Sequence, residues 1–246
     1  MAAFPARLAL TLPVLLAMAA CGEAEGPPVA SDTQAATAAP GTPEELLTRY
    51  TALSPAGEFA PRDECLNLAG APEFRRALAQ AVIARDADAL VALADPAIGL
   101  DFGGGAGVDT LRARLTDPEY GLWEELEAIL PLGCAAGTDG NSLTVPHYFA
   151  ADIGTRDPYA TYIAMGSDVP LRASAADDAE ILANIGWQAV EVSEYPGEGA
   201  SYASVTASDG RQGFAAMSDL RSLIDYRLLA NRGDDGWKIT MLVAGD

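Results

Sequence analysis

The chain has 246 residues and a formal net charge of −20, from 15 basic and 35 acidic side chains. Lys238 is its only lysine and the arginines form no basic cluster, so the charge pattern that binding to a nucleic-acid backbone requires is missing. We therefore expect no nucleic-acid partner. The same acidity repels anionic lipid head groups, which excludes attachment to a membrane through a basic protein face.

Residues 1–20 have the layout of a secretory signal, with one positive charge, an apolar run and two alanines directly before Cys21. The apolar run is shorter than the ~20 residues that a membrane-spanning helix needs. The segment Met18-Ala-Ala-Cys21 resembles a bacterial lipobox, whose cysteine is acylated with chains such as palmitate and becomes the new N-terminus. We expect a lipid anchor on Cys21; the alternative is an ordinary signal peptide that releases a soluble periplasmic protein.

Residues 21–42 are small, polar and rich in proline, so they lack the apolar side chains that would offset the entropy of folding. They predict a tether between the membrane and a folded domain. Gly22 follows the cysteine in place of the aspartate that marks inner-membrane retention in this class of proteins, which favours the outer membrane. The predicted location is the cell envelope, facing the periplasm and anchored by lipid.

Two cysteines remain once Cys21 is assigned to lipid. Cys65 and Cys134 make an even number in an oxidising compartment, so we expect them to form a disulfide. The alternative is a catalytic thiol at Cys134 with His147, the only histidine of the chain, as its base. No activating side chain adjoins Cys134 in the sequence, which favours the disulfide.

Residues 43–150 carry a mainly helical pattern. Pro43 with two following glutamates is typical of a helix start. Apolar residues at a period of 3.6 predict a helix over 72–85, and Asp86 can cap the next one. The helix capped by Asp86 is predicted to end at Pro96. The remaining predicted elements are a strand over 97–102, a helix over 109–115, a helix opened by Pro118 and a loop over 133–141.

Beyond this region the apolar period changes to two. Short strand candidates follow one another at intervals of about ten residues, separated by turn residues; they are 162–165, 169–172, 181–185, 189–192, 202–207 and 211–215. The dipeptide Asp209-Gly210 between the last two is a hairpin turn signal. Together these strands predict a small β-barrel over residues 158–222.

The motifs of this segment also follow one another in a recognisable order. They are Val169-Pro-Leu-Arg172, a strand before Gly186-Trp187, Val190-Glu-Val192, Asp209-Gly-Arg-Gln-Gly-Phe214 and a closing Leu220. This order over residues 160–221 resembles the bacterial SH3-like domain, although Tyr202 stands where tryptophan is usual and Phe214-Ala215 replaces Trp-Val. The resemblance implies a candidate ligand surface of aromatic side chains, namely Trp187, Tyr195, Tyr202 and Phe214.

The C-terminal segment 223–246 predicts a long antiparallel hairpin, with strands 226–231 and 237–243. Its Asp-Gly turn before Trp-Lys resembles the last hairpin of NTF2-like (cystatin-like) domains. We expect this hairpin to pack back on the helical region beside residues 98–102, with the SH3-like module as an insertion and an α+β class. The alternative is two separate domains, with the hairpin extending the barrel.

The sequence offers little for catalysis or metal binding. One histidine cannot serve a His-rich zinc site, the cysteines are expected to be bonded, and carboxylate pairs such as Glu124 with Glu127 fit the solvated face of a helix. We therefore expect no catalytic, cofactor or metal site. The expected function is that of a non-enzymatic envelope lipoprotein that binds a peptide, peptidoglycan or an envelope protein. The alternative is a peptidoglycan-processing hydrolase or its accessory subunit, which SH3-like modules often accompany.

Overall fold

A computed structural model of the chain describes residues 41–193, 196–197 and 199–245. These residues contain α-helices and β-strands in comparable amounts, and the strands form two sheets. The expected α+β class is therefore confirmed. Among the described helices, none is long and apolar enough to cross a membrane. The signal segment, the tether and Cys21 lie outside the described residues.

Side-chain caps open two of the five described helices. The five helices are α1 (Pro43–Thr48), α2 (Ala71–Ala84), α3 (Ala87–Ala92), α4 (Val108–Thr116) and α5 (Leu122–Ile129). Thr42 and Glu45 form a reciprocal capping box at the start of α1. At the start of α3, the Asp86 carboxylate accepts a hydrogen bond of 3.0 Å from the Ala89 backbone N–H. These contacts satisfy N–H groups that a helix start leaves without a partner.

Two proline positions behave differently from the sequence prediction. Pro96 does not end α3, which stops at Ala92; it lies within the first strand, at the edge of a sheet, where a missing N–H is tolerated. Pro118 does not open α5 either. That helix starts only after Gly121, whose φ of 58° is the left-handed conformation that glycine adopts readily.

The twelve strands of the described chain are short. In chain order they are β1 (Ala94–Gly99), β2 (Ala135–Ala136), β3 (Ser142–Val145), β4 (Thr161–Ala164), β5 (Pro170–Arg172), β6 (Ile181–Asn184), β7 (Ala189–Val192), β8 (Tyr202–Thr206), β9 (Gln212–Ala216), β10 (Leu220–Ser222), β11 (Arg227–Gly233) and β12 (Gly236–Val243). Strands β2 and β3 lie where the sequence predicted a loop and the end of a helical region. With two and four residues, they are too short to show a clear period.

The first sheet has five strands in the order β1-β12-β11-β3-β2. The C-terminal hairpin is its centre, and β1 runs parallel to β12, with Ala94 beside Ile239. The hairpin packs on the helices through Trp237, whose ring stacks on Phe74 of α2 at 6.3 Å between centroids. The Trp237 indole N–H also donates a hydrogen bond of 2.9 Å to the Ala69 carbonyl. One apolar core therefore contains both the helices and the hairpin.

The second sheet has seven strands in the order β10-β4-β7-β8-β9-β5-β6 and is antiparallel throughout. It encloses an apolar core of its own. The sheet is not closed, so the predicted small barrel is not formed by strand pairing. A closed barrel requires the two edge strands, here β10 and β6, to pair with each other. Instead, β10 lies against the helices, where Arg221 is 2.7 Å from Glu125 of α5.

A third apolar cluster lies where the second sheet meets the helical part of the molecule. It contains buried residues from both sides, including Phe59, Leu132, Tyr148, Ile163 and Trp187. The Phe59 backbone N–H donates a hydrogen bond of 3.1 Å to the Trp187 carbonyl. This cluster covers the outer face of the sheet at β4 and β7, through Ile163 and Ala189, while Ser204 of β8 on that same face is exposed.

Candidate functional site

The disulfide expected between Cys65 and Cys134 is present, with Cα atoms 5.8 Å apart. Both cysteines are fully buried. His147 contacts Glu64 instead, with its Nε2 atom 3.2 Å from a Glu64 carboxylate oxygen. Because the Cys134 sulfur is bonded to Cys65, the structure offers no thiol for the alternative in which Cys134 and His147 form a catalytic pair.

Within the described residues, one grouping of potential metal ligands brings together Asp63, Cys65 and Cys134. Both sulfur atoms belong to the disulfide, and Asp63 forms an ion pair with Arg75. Cysteine binds a metal as a thiolate, which a disulfide cannot offer, so this grouping does not hold a metal in the oxidised protein.

The exposed face of β8 and β9 carries two of the four aromatic residues predicted for the ligand surface. Ala203, Val205 and Ala215 point into the core, and the alternation of a strand places Tyr202 and Phe214 on the opposite face. Ser204, between them on that face, pairs with Phe214 across the two strands. Tyr202 and Phe214 are therefore diagonal neighbours, a spacing of about 7–8 Å that aromatic side chains can bridge.

Charged residues complete this face. Arg172 of β5 is the strand partner of Phe214, on the side away from β8. Asp177, in the turn between β5 and β6, accepts a hydrogen bond from the Tyr202 hydroxyl. We call Arg172, Asp177, Tyr202 and Phe214 the outer-face cluster. It combines two partly exposed rings with one positive and one negative group.

The outer-face cluster is held together by its own polar contacts. The hydrogen bond to Asp177 raises the pKa of Tyr202, and the negative charge of the Asp177 carboxylate raises it further. Tyr202 is thus held as a neutral hydroxyl that donates to the carboxylate. Arg172 donates a hydrogen bond of 3.2 Å to the Ala179 carbonyl, which anchors the β5–β6 turn beside the strands. The cluster can offer ring surface, a cation and a carboxylate to a ligand.

The other two predicted aromatic residues do not join this cluster. Trp187 is only 1 % exposed and packs edge-on against Tyr50, with ring centroids 5.4 Å apart. Its backbone is left-handed, at a φ of 52°. Gly57 lies so close that a Cβ atom there would be 2.5 Å from that of Trp187. Trp187 is therefore a core residue of the contact between sheet and helices, and Tyr195 lies outside the described residues.

Sequence reasoning missed the apolar edge of the seven-stranded sheet. Ile181 and Leu182 of β6 are 60 % and 40 % exposed, although strand residues of this type are usually buried. The signal was present in the sequence: an Ile-Leu pair directly after the acidic turn that contains Asp177, Asp178 and Glu180. The pattern predicted the strand but not its position at an edge, because strand order depends on contacts far apart in the chain.

Comparisons with known proteins identify no relatives for this chain. No protein-family model, no curated protein and no solved structure matches it.

Proposed function

We propose that this chain is a non-enzymatic lipoprotein of the cell envelope, and that residues 158–222 form an SH3-like module that binds a peptide, cell-wall or protein partner. The observation that carries the proposal is the outer-face cluster. Tyr202 and Phe214 present partly exposed rings on the strand face opposite the sheet's core, and Arg172 and Asp177 supply polar groups beside them. Aromatic residues with a few fixed polar groups are typical of binding surfaces.

The setting of the cluster supports binding rather than chemistry. Its tyrosine is held as a neutral donor by Asp177, so Tyr202 is not prepared to act as a base or a nucleophile. Backbone pairing of β8 with β9 fixes the two strands that carry the rings. A rigid aromatic surface loses little conformational entropy when it binds a partner.

The location is part of the same proposal. A lipid on Cys21 would anchor the chain, most favourably in the outer membrane, and residues 21–42 would act as the tether that holds the folded domain in the periplasm. A disulfide in the folded domain suits that oxidising compartment.

The experiment uses the full chain carrying Cys21→Ser, exported to the periplasm and purified without detergent. It is incubated with purified peptidoglycan sacculi and, separately, with envelope extract. Binding to the sacculi, or recovery of one stoichiometric protein, should be lost in the double variant Tyr202→Ala/Phe214→Ala. Tyr120→Ala is the matched control, because Tyr120 is 43 % exposed but lies between α4 and α5.

The outcomes separate the candidate functions. Binding that depends on Tyr202 and Phe214 supports the proposal. Equal binding by the double variant and the wild type contradicts it. Release of muropeptides from the sacculi would instead establish the hydrolase alternative.

A further inference from the structure

Strand β6 lies at one end of the seven-stranded sheet, so one of its edges pairs with β5 and no described strand occupies the other. An edge strand presents backbone groups to which another strand can add. At this edge Ile181 and Leu182 are also largely exposed. Natural proteins commonly protect such an edge with charged residues, proline or a β-bulge. β6, Ile-Leu-Ala-Asn, contains no charge or proline, and its pairing with β5 shifts register at Leu182.

The surroundings of this edge are predominantly acidic. Asp177, Asp178 and Glu180 are exposed in the turn that leads into β6. At the other end of the strand, Asn184 donates a hydrogen bond of 3.1 Å to Asp168. These carboxylates favour a partner that brings positive charge.

Two arginines lie near this edge. Arg211 pairs with Asp209 at 2.5 Å and donates a hydrogen bond of 3.2 Å to the Leu182 carbonyl. Arg172 bonds the Ala179 carbonyl. Among the described residues, Arg211 makes the only side-chain hydrogen bond to the β6 backbone, and it reaches one carbonyl. It therefore protects the edge at one point and leaves the strand otherwise open to an added strand.

We infer that the open edge of β6 binds a short extended segment of a partner protein in which lysine or arginine alternates with apolar residues, added as a further strand of the sheet. This inference rests on the proposed function and names the chemistry of its partner. Backbone hydrogen bonds would supply affinity, apolar side chains would cover Ile181 and Leu182, and the cations would face the carboxylates of the β5–β6 turn. The length of β6 limits the added strand to about four residues.

A second copy of the chain is a poor occupant of the same edge. Each copy carries a net charge of −20, and like charges oppose the approach of two identical acidic surfaces. Charge complementarity therefore selects a basic segment of another protein over self-pairing.

The test selects random octapeptides displayed on phage against the immobilised full chain. Selected peptides should be enriched in lysine, arginine and β-branched residues. Their synthetic forms should bind the double variant Ile181→Lys/Leu182→Lys at least about tenfold more weakly than the wild type. Leu53→Lys is the matched control, because Leu53 is 73 % exposed but lies in a short turn before α2. Circular dichroism verifies that each variant is folded.

Each outcome decides the inference. No enrichment, enrichment of acidic peptides, or equal binding by the β6 variant overturns it, as does a wild-type dimer that the β6 variant abolishes. Peptides that lose affinity in Tyr202→Ala/Phe214→Ala but not in the β6 variant overturn the inference while leaving the proposed function intact. Loss of affinity in the β6 variant, together with protection of the β6 amides from hydrogen exchange by the bound peptide, supports it.

Discussion

Arg75 of α2 and Asp63 form an ion pair inside the helical core, with Nη1 2.6 Å from Oδ2. Their side chains are 3 % and 10 % exposed, and no described group accepts from the Arg75 Nε and Nη2 atoms. Asp63 is thus the anionic partner of the Arg75 guanidinium, which is almost completely shielded from water. The pair also lies beside the disulfide, because Asp63 accepts a hydrogen bond from the Cys65 backbone N–H at 3.1 Å.

Removal of the Asp63 carboxylate should be strongly destabilising. Asp63→Ala leaves the charge of Arg75 buried without a counterion, so we expect the free energy of unfolding to fall by about 3–5 kcal/mol. The measurement is urea denaturation followed by circular dichroism. Glu44→Ala is the control, because its ion pair with Arg76 is 54 % and 62 % exposed and should contribute less than about 1 kcal/mol. Similar losses in the two variants would show that burial of the pair has no energetic consequence.

The disulfide should stabilise the fold without being needed to form it. It joins residues separated by 69 positions, and closure of a loop of this length stabilises a protein by about 4 kcal/mol on the chain-entropy model. Reduction should therefore lower the thermal unfolding midpoint while helical circular dichroism persists at low temperature, since α2 and α5 still bury their apolar faces in one core. Identical midpoints with and without reductant, in a sample whose thiols are shown to be free, would refute this expectation.

Tyr148 should make the protein sensitive to alkali. Burial raises the pKa of this tyrosine well above its ordinary value near 10, and the Arg221 guanidinium opposes the shift only in part. The folded state therefore retains the proton when the unfolded state loses it. Stability is complete below about pH 10 and falls above it, by about 1.4 kcal/mol per pH unit. In Tyr148→Phe this contribution should disappear, which urea denaturation at pH 8 and at pH 11 can measure; an unchanged pH dependence would count against it.

The proposed anchor predicts a change of cell fraction. Cys21→Ser removes the side chain that would be acylated, so the protein should move from the detergent phase to the soluble periplasmic fraction. Several acyl chains hold a protein in the membrane stably, whereas a single chain binds only marginally. Loss of the acylated cysteine should therefore release nearly all of the protein from the membrane. Retention of the Cys21→Ser variant in the membrane fraction would contradict the lipoprotein proposal. The description of the folded domain does not depend on this result.

The elements that the sequence predicted well are those set by local chemistry. The apolar stripe of α2 lies on one face of a long helix, and a turn at Asp234-Asp235 joins the two strands of the C-terminal hairpin. Strands β2 and β3 were missed because they are short. β2 pairs only with β3, whereas β3 also pairs with β11, which lies more than 80 residues further along the chain, beyond the reach of a local pattern.

The candidate site was predictable to a similar extent. Alternation along β8 and β9 places Tyr202 and Phe214 on one face, as a period of two requires. The contact between Tyr202 and Asp177 spans 25 positions and depends on how the β5–β6 turn folds over the sheet. The burial of Trp187 depends on Tyr50 and Phe59, more than 120 positions away, so a pattern local to the module could not reveal it.

Photo-crosslinking in the living cell tests the central claim, that the outer-face cluster binds a partner, most directly. A photoreactive amino acid replaces Ser204, which is exposed between Tyr202 and Phe214, and in a second strain it replaces Gln80, which is exposed on α2. We expect a discrete crosslink to one envelope protein or to the cell wall from position 204, lost when Tyr202→Ala is added, and none from position 80. The same crosslinks from both positions, or none from position 204, would contradict it.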